Sequence, residues 1–136
     1  MSPRLQGALQ PRGCTKAFKG KGDLRRRMHE VEQQLTVLHR RMRQLKDETR
    51  AIRGRVFGLE TYVRNGREAM MLRWRYLMGR HAIWGRDIEP SLESFPEEVQ
   101  AWYRRANVAS AILNVQERCL RYERVAMQRL LDRLRE

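Results

Sequence analysis

A heptad repeat of apolar residues constrains the fold of this chain more than any other feature of its sequence. At alternating spacings of four and three, the repeat consists of Leu24, Met28, Val31, Leu35, Leu38, Met42, Leu45, Thr49, Ile52, Val56, Leu59 and Val63. Only Thr49 is not apolar. A stripe that recurs every 3.5 residues keeps one face of a helix turned towards a partner helix. At about 1.5 Å per residue such a helix forms a rod of roughly 60 Å, which can bind and space other molecules but encloses no pocket.

The sequence therefore predicts an all-α fold: a long antiparallel helical hairpin or coiled coil, preceded by a basic, extended N-terminal tail. The predicted parts are a tail over 1–22, a heptad-bearing helix over 23–84, an acidic connecting loop over 85–95 and a C-terminal helix over 96–136. Asn65-Gly66 favours a break in the first helix, because both residues accept the left-handed conformation that ends helices. The seam phase continues beyond this point, so one bent helix remains an alternative. Gly54 and Gly58 are expected on its outer face.

The start of the last helix is marked by Ser94-Phe95-Pro96-Glu97, which has the spacing of a capping box with proline in the first turn. Beside its main seam this helix carries a second apolar stripe, formed by Val108, Ile112, Val115, Cys119, Tyr122 and Ala126. Two adjacent stripes make a face wide enough to touch more than one helix.

The partner of the heptad helix is predicted to be an unlike helix rather than a second copy. In a parallel homodimer Arg41 would face Lys46, which is repulsive, and the seam mixes methionine, leucine, threonine and valine. Such mixing argues against a helix that specifies its own dimer. The chain's last helix and a helix of another protein both remain open as partners, and heteromeric packing is favoured over a homodimer.

The charge of the chain indicates a polyanionic partner. The net charge is +13 and the sequence pI is about 11.1. Of the 29 basic residues, 25 are arginine and four are lysine. Arginine forms bidentate contacts with phosphate and stacks on bases, so this bias suits RNA. A GC-rich genome would produce the same bias, and the sequence does not separate the two explanations.

Fifteen basic residues are the candidate RNA contacts. They are Arg4, Arg12, Lys16, Lys19, Lys21, Arg25, Arg26, Arg27, Arg40, Arg41, Arg43, Arg73, Arg75, Arg80 and Arg86. Over 73–86 the arginines alternate with large aromatic residues, a combination used for unpaired RNA bases. The aromatic residues could instead pack the helical hairpin. No signature of sequence-specific recognition is present.

Catalysis and metal binding are not expected. The three histidines are isolated, neither cysteine has a neighbour at ligand spacing, and no glycine-rich phosphate loop or convergent pair of carboxylates is visible. We therefore predict a non-enzyme without cofactors. Two distant cysteines favour a reducing compartment, and no apolar run approaches a membrane span.

These features predict a non-catalytic structural subunit of a large ribonucleoprotein. A mitochondrial ribosome or its assembly intermediate fits best, with rRNA and neighbouring proteins as partners. The basic, acid-free residues 1–22 resemble a mitochondrial transit peptide, which favours the matrix over the cytoplasm or nucleus. A plain basic tail is the other interpretation, because the prolines and glycines of this segment break an amphipathic helix. The alternative is a coiled-coil scaffold or adaptor of a protein-only complex: cytoskeletal, tethering, viral or respiratory.

Overall fold

The computed structural model describes residues 20–52, 54, 56–63, 69–77 and 79–135. In chain order the elements are helix α1 (Lys21–Arg50), strand β1 (Phe57–Val63), strand β2 (Met70–Tyr76), a π-helical turn (Trp84–Ile88), a 3-10 helix (Glu89–Ser94) and helix α2 (Glu97–Arg135). The chain divides into two compact units. One contains Met1–Gln34 and Leu120–Glu136, the other Leu35–Cys119. Each long helix therefore contributes to both units.

The predicted all-α hairpin is wrong, because the middle of the chain forms a two-stranded antiparallel sheet. The heptad helix ends at Arg50 rather than near residue 84. Gly54 follows with φ +68°, a left-handed conformation that favours glycine, and Gly58 lies in β1. The predicted break at Asn65-Gly66 falls within 64–68, outside the described residues, as does the predicted tail up to residue 19.

The heptad seam is the inner face of α1 as far as this helix extends. In the first unit Leu24 and Val31 are buried, as are Leu35, Leu38 and Met42 in the second. Beyond Arg50 the seam no longer describes one face of one element. Val56 is exposed between the helix and β1, while Leu59 and Val63 belong to β1 itself.

The first unit combines the start of α1 with the end of α2. Its buried apolar residues include Met127 and Leu131 of α2. Arg27 donates two hydrogen bonds to the Glu123 carboxylate, at 2.7 Å and 3.0 Å. Because this bidentate pair is partly shielded from solvent, it fixes the two helix segments more firmly than an exposed pair would.

Tyr103 is the centre of the aromatic core of the second unit. Its side chain is fully buried, and its ring lies 5.4 to 6.4 Å from the rings of four other aromatic residues: Phe57, Trp74, Phe95 and Trp102. The Tyr103 hydroxyl donates to the backbone carbonyl of Phe57 at 3.1 Å. One side chain of α2 thus joins both strands and the segment that precedes α2.

Side chains from both helices form hydrogen bonds with backbone groups at the unpaired edges of the two strands. The Leu59 amide of β1 donates to Thr49 Oγ1 at 3.0 Å. On β2, Asn114 accepts from the Leu72 amide at 2.8 Å and donates to the Leu72 carbonyl at 3.0 Å. Buried backbone groups need such partners, and a two-stranded sheet has two edges that lack a neighbouring strand. Thr49, the polar exception in the seam, therefore has a structural role.

The segment between β2 and α2 is held by local hydrogen bonds. Asp87 accepts from the Ile83 amide at 2.7 Å and pairs with Arg86 at 3.1 Å. The hydrogen bond from Arg86 and the Ile83 amide lower the pKa of Asp87 below its usual value. The Ser94 hydroxyl donates to the Ser91 carbonyl rather than capping α2, which begins at Glu97.

Candidate nucleic-acid interface

Strand alternation places two arginines of β2 on the outer face of the sheet. Leu72 and Trp74 point into the core, so Arg73 and Arg75 point the other way. In the antiparallel register Arg73 is paired with Glu60 and Arg75 with Gly58. The outer face is therefore basic, with one carboxylate directly across from an arginine.

Among the described residues, the side chain of Arg73 contacts an aromatic ring and forms no ion pair. Its guanidinium carbon lies 3.6 Å from the centre of the Tyr62 ring on β1. The buried Nε atoms of Arg73 and Arg75 have no hydrogen-bond partner among the described residues. Arg75 donates another N–H to the Gly79 carbonyl. Because these Nε atoms are buried, the groups of the stacked Arg73 guanidinium that suit phosphate are its terminal N–H groups.

The last turns of α1 extend the basic face. Glu60 accepts a charge-assisted hydrogen bond from Arg50 at 2.6 Å and lies 3.5 Å from Lys46. Residues three or four apart share a helix face. Arg43 therefore lies one turn before Lys46, and Arg40 lies one turn before Arg43. We call the combined set the basic surface. It comprises Arg40, Arg43, Lys46, Arg50, Arg73 and Arg75.

Glu60 is the acidic centre of the basic surface and remains ionised more readily than a free glutamate. Burial alone raises its pKa, but the hydrogen bond from Arg50 and the charges of Arg50 and Lys46 outweigh that effect and lower the pKa below its usual value. The same ion pair raises the pKa of Arg50. The pairing fixes the Arg50 guanidinium beside the sheet while leaving an excess of positive charge.

The Arg50→Gln substitution is expected to raise the pKa of Glu60 towards or above the value of a free glutamate. A carboxyl whose pKa is lowered by folding stabilises the native state above its unfolded pKa, and this contribution is lost as pH falls through the folded pKa. The variant should therefore lose less stability on acidification than the wild type. An NMR titration of the Glu60 side-chain carboxyl measures the shift. The Arg41→Gln substitution, on another face of α1, is the control and should leave the Glu60 titration unchanged.

A shallow depression of about 280 Å³ lies within the basic surface. It is lined by Arg50, Gly58, Glu60, Arg75, Tyr76, Leu77 and Gly79. Its volume is at the lower end of the range for small-molecule sites, roughly 300 Å³ and upwards. Arg50 is paired with Glu60, and Arg75 donates to the Gly79 carbonyl. A phosphate in the depression would compete with these two acceptors for the arginines.

The predicted RNA contacts are distributed over several environments. Arg4, Arg12, Lys16 and Lys19 lie outside the described residues. Three are paired with carboxylates: Arg26 with Asp23, Arg27 with Glu123 and Glu30, and Arg86 with Asp87. Arg80 lies 4.5 Å above the Tyr76 ring. Lys21, Arg25, Arg40, Arg41 and Arg43 are exposed and make no ion pair with another described residue.

The alternation of arginines and aromatic residues over 73–76 reflects a strand, not a stacking platform. Trp74 is 6% exposed, and its indole N–H donates to Asn107 at 2.9 Å. It packs the core and is not open to a base. Sequence reasoning missed Lys46, Arg50 and Tyr62, because their roles depend on the hairpin register. The period-two pattern of β1 was the signal that could have identified them.

Within the residues that the structure describes, no helix is long and apolar enough to cross a bilayer. In the same residues, no group of three or more histidine, cysteine or acidic side chains is placed to hold a metal ion. Comparison with protein-family models, curated proteins and solved structures found no match for this chain.

Proposed function

We propose that this chain is a non-catalytic RNA-binding protein, a structural subunit of a ribonucleoprotein. The observation that carries the proposal is the basic surface, in which six cations from α1 and β2 are accompanied by two carboxylates, Asp47 and Glu60. Phosphate contacts dominate non-specific nucleic-acid affinity, and such an excess of cations attracts a phosphate backbone.

RNA is favoured over other polyanions by the arrangement of Arg73 on Tyr62. The stacked guanidinium presents both a charge and a flat surface, and single-stranded or looped RNA is bound by such combinations. The absence of a groove-reading motif in the sequence fits recognition of RNA shape and backbone rather than of a defined sequence. The basic residues before α1 extend the proposal to a ribosomal or ribosome-assembly role in mitochondria.

A salt titration tests the proposal. Binding of the full chain to a fluorescein-labelled RNA stem-loop is measured by anisotropy between 50 and 200 mM KCl, conditions chosen because counterion release makes phosphate-driven affinity fall steeply over about this range. We expect a linear fall of log affinity with log salt. The Arg40→Gln/Arg43→Gln variant should bind more weakly and reduce the slope by up to about two, since each phosphate contact contributes roughly one.

The matched control is Arg129→Gln/Arg133→Gln, which removes two exposed arginines of α2 outside the basic surface. It should retain most of the wild-type slope. Equal losses in both variants would show that binding depends on net charge alone and not on the basic surface. No measurable RNA affinity at 50 mM KCl would refute the proposed function.

One observation favours the alternative, a helical scaffold in a protein-only complex. The face of α2 opposite its core side exposes several large apolar residues, among them Val108, Ile112 and Val115. Treatment of the native complex with RNase separates the two functions. Loss of the complex supports the ribonucleoprotein, and its survival supports the scaffold.

A further inference from the structure

The solvent-facing side of α2 in the second unit carries an apolar stripe that no described residue covers. Val108, Ile112 and Val115 are 58%, 52% and 54% exposed, and Cys119 is exposed as well. These four residues, which we call the outer stripe, follow one another at spacings of four, three and four. That spacing is the heptad pattern of a helix seam.

The outer stripe is separate from the core side of the same helix. Tyr103, Ala106, Ser110 and Leu113 are buried and recur at helical spacing on the opposite side. α2 therefore has two apolar faces in this unit, and only one of them packs against other residues that the structure describes. Three β-branched side chains in a row, each more than half exposed, form a contiguous patch rather than the scattered apolar residues normal for a protein surface.

The charges beside the outer stripe are of one sign. Arg104, Arg105 and Arg118 are exposed in this part of α2 and make no ion pair with another described residue. The only acidic residue between Glu98 and Cys119 is Glu117. It is 4% exposed and contacts His39 on the core side, so no carboxylate of this segment borders the stripe.

From this combination we propose that the outer stripe docks an amphipathic helix of another protein, with apolar residues at heptad spacing and acidic residues on either side. Val and Ile side chains would interdigitate with the partner's apolar seam, and the three arginines would meet its flanking carboxylates. Flanking charges of opposite sign set partner choice and orientation in paired helices.

The charges beside the outer stripe and the residue types within it disfavour the other occupants. A second copy of this chain would bring Arg104 and Arg105 close to arginines of the same segment, which costs free energy. RNA gains little from valine and isoleucine, which offer no ring for base stacking. Membrane-surface helices usually insert bulky tryptophan, phenylalanine or leucine, and the stripe has none of these.

The test uses the full chain and three synthetic helical peptides of four heptads. The first has leucine and isoleucine in its seam and glutamate at the flanking positions; the second replaces those glutamates by lysine; the third keeps the glutamates and replaces the seam by glutamine. Fluorescence anisotropy measures binding at low salt. We expect the first peptide to bind at least about tenfold more tightly than either of the others, because both the seam and the charges contribute.

Matched variants locate the binding to the stripe. Ile112→Ser/Val115→Ser should weaken binding of the first peptide about tenfold or more. The control Val37→Ser/Ile83→Ser removes the same pair of residue types, 49% and 52% exposed, from elsewhere in this unit and should leave binding unchanged. Arg104→Glu/Arg105→Glu should reverse the preference between the glutamate and lysine peptides. Circular dichroism establishes that each variant remains folded.

Four results would overturn the proposal. The first is equal binding of the glutamate and lysine peptides. The second is an equal loss of affinity in Ile112→Ser/Val115→Ser and in the control Val37→Ser/Ile83→Ser. Sedimentation equilibrium would show a dimer that Ile112→Ser/Val115→Ser dissociates, identifying a second copy as the occupant. Vesicles of phosphatidylcholine and phosphatidylserine would bind the wild type but not that variant, identifying a lipid surface.

Discussion

Tyr103→Ala is expected to lower the free energy of unfolding by about 3–5 kcal/mol, the range for truncating a large buried aromatic side chain. Tyr103 is fully buried and contacts rings from both strands and from the segment before α2. Its loss leaves a cavity between elements that are distant in sequence, and the surrounding rings cannot close it without moving the sheet. Urea denaturation followed by tryptophan fluorescence measures the effect, since all three tryptophans lie in the unit that contains Tyr103.

One further variant separates the ring from the hydroxyl, and a second is a control at an exposed tyrosine. Tyr103→Phe retains the ring contacts and removes the hydroxyl that donates to the Phe57 carbonyl, so it should cost about 1 kcal/mol. Tyr122→Ala truncates a tyrosine that is 77% exposed and should change stability by less than about 0.5 kcal/mol. If Tyr103→Phe were as damaging as Tyr103→Ala, the hydroxyl and not the aromatic core would be the main contribution.

His39→Leu is expected to lower the free energy of unfolding by about 3 kcal/mol, the second largest effect after Tyr103→Ala among the variants proposed here. The His39 imidazole of α1 contacts the Glu117 carboxylate of α2, and the Glu117 side chain is 5% exposed. The Met70 amide also donates to this carboxylate, at 3.4 Å. Leucine removes the imidazole and leaves the buried carboxylate with fewer hydrogen bonds, and an uncompensated buried polar group is costly.

The double variant His39→Leu/Glu117→Leu should recover at least about 1 kcal/mol of that loss, because an apolar pair of similar size often replaces a buried polar pair without penalty. Recovery is incomplete, since the Met70 amide loses its acceptor. A double-mutant cycle with chemical denaturation measures the coupling between the two positions. Additive losses would show that the two side chains contribute independently.

The sequence predicted the inner face of α1 but not where that helix ends. Leu24 through Met42 recur at heptad spacing because they pack one helix face. Leu59 and Val63 continue the spacing by coincidence, since residues four apart lie on the same side of a strand as well as of a helix. Phe57, Leu59 and Thr61 also recur at a spacing of two, which is the period of a strand and not of a helix.

The hairpin had a local signal that competed with the heptads. Asn65-Gly66 between two alternating apolar runs is a strong sequence signal for a β-hairpin, and the same dipeptide also predicts a helix break. This choice also affected the site. In a helix Arg73 and Arg75 would lie on nearly opposite sides, because residues two apart do not share a helix face. In a strand the two arginines share one face and Trp74 lies on the other. Their pairing with Glu60 and Tyr62 depends on a register that no local pattern specifies.

The hydrogen bonds at the edge of the sheet affect whether this chain aggregates at high concentration. With Asn114 bound to both polar groups of Leu72, and Arg80 and Ala82 bonded to Tyr76 and Trp74, the outer rim of β2 offers little to a strand from another molecule. Fibril growth and β-augmentation both begin by pairing with such a rim. Growth from β2 would first require displacing α2, so partners are expected to engage this protein through its helices and its arginines.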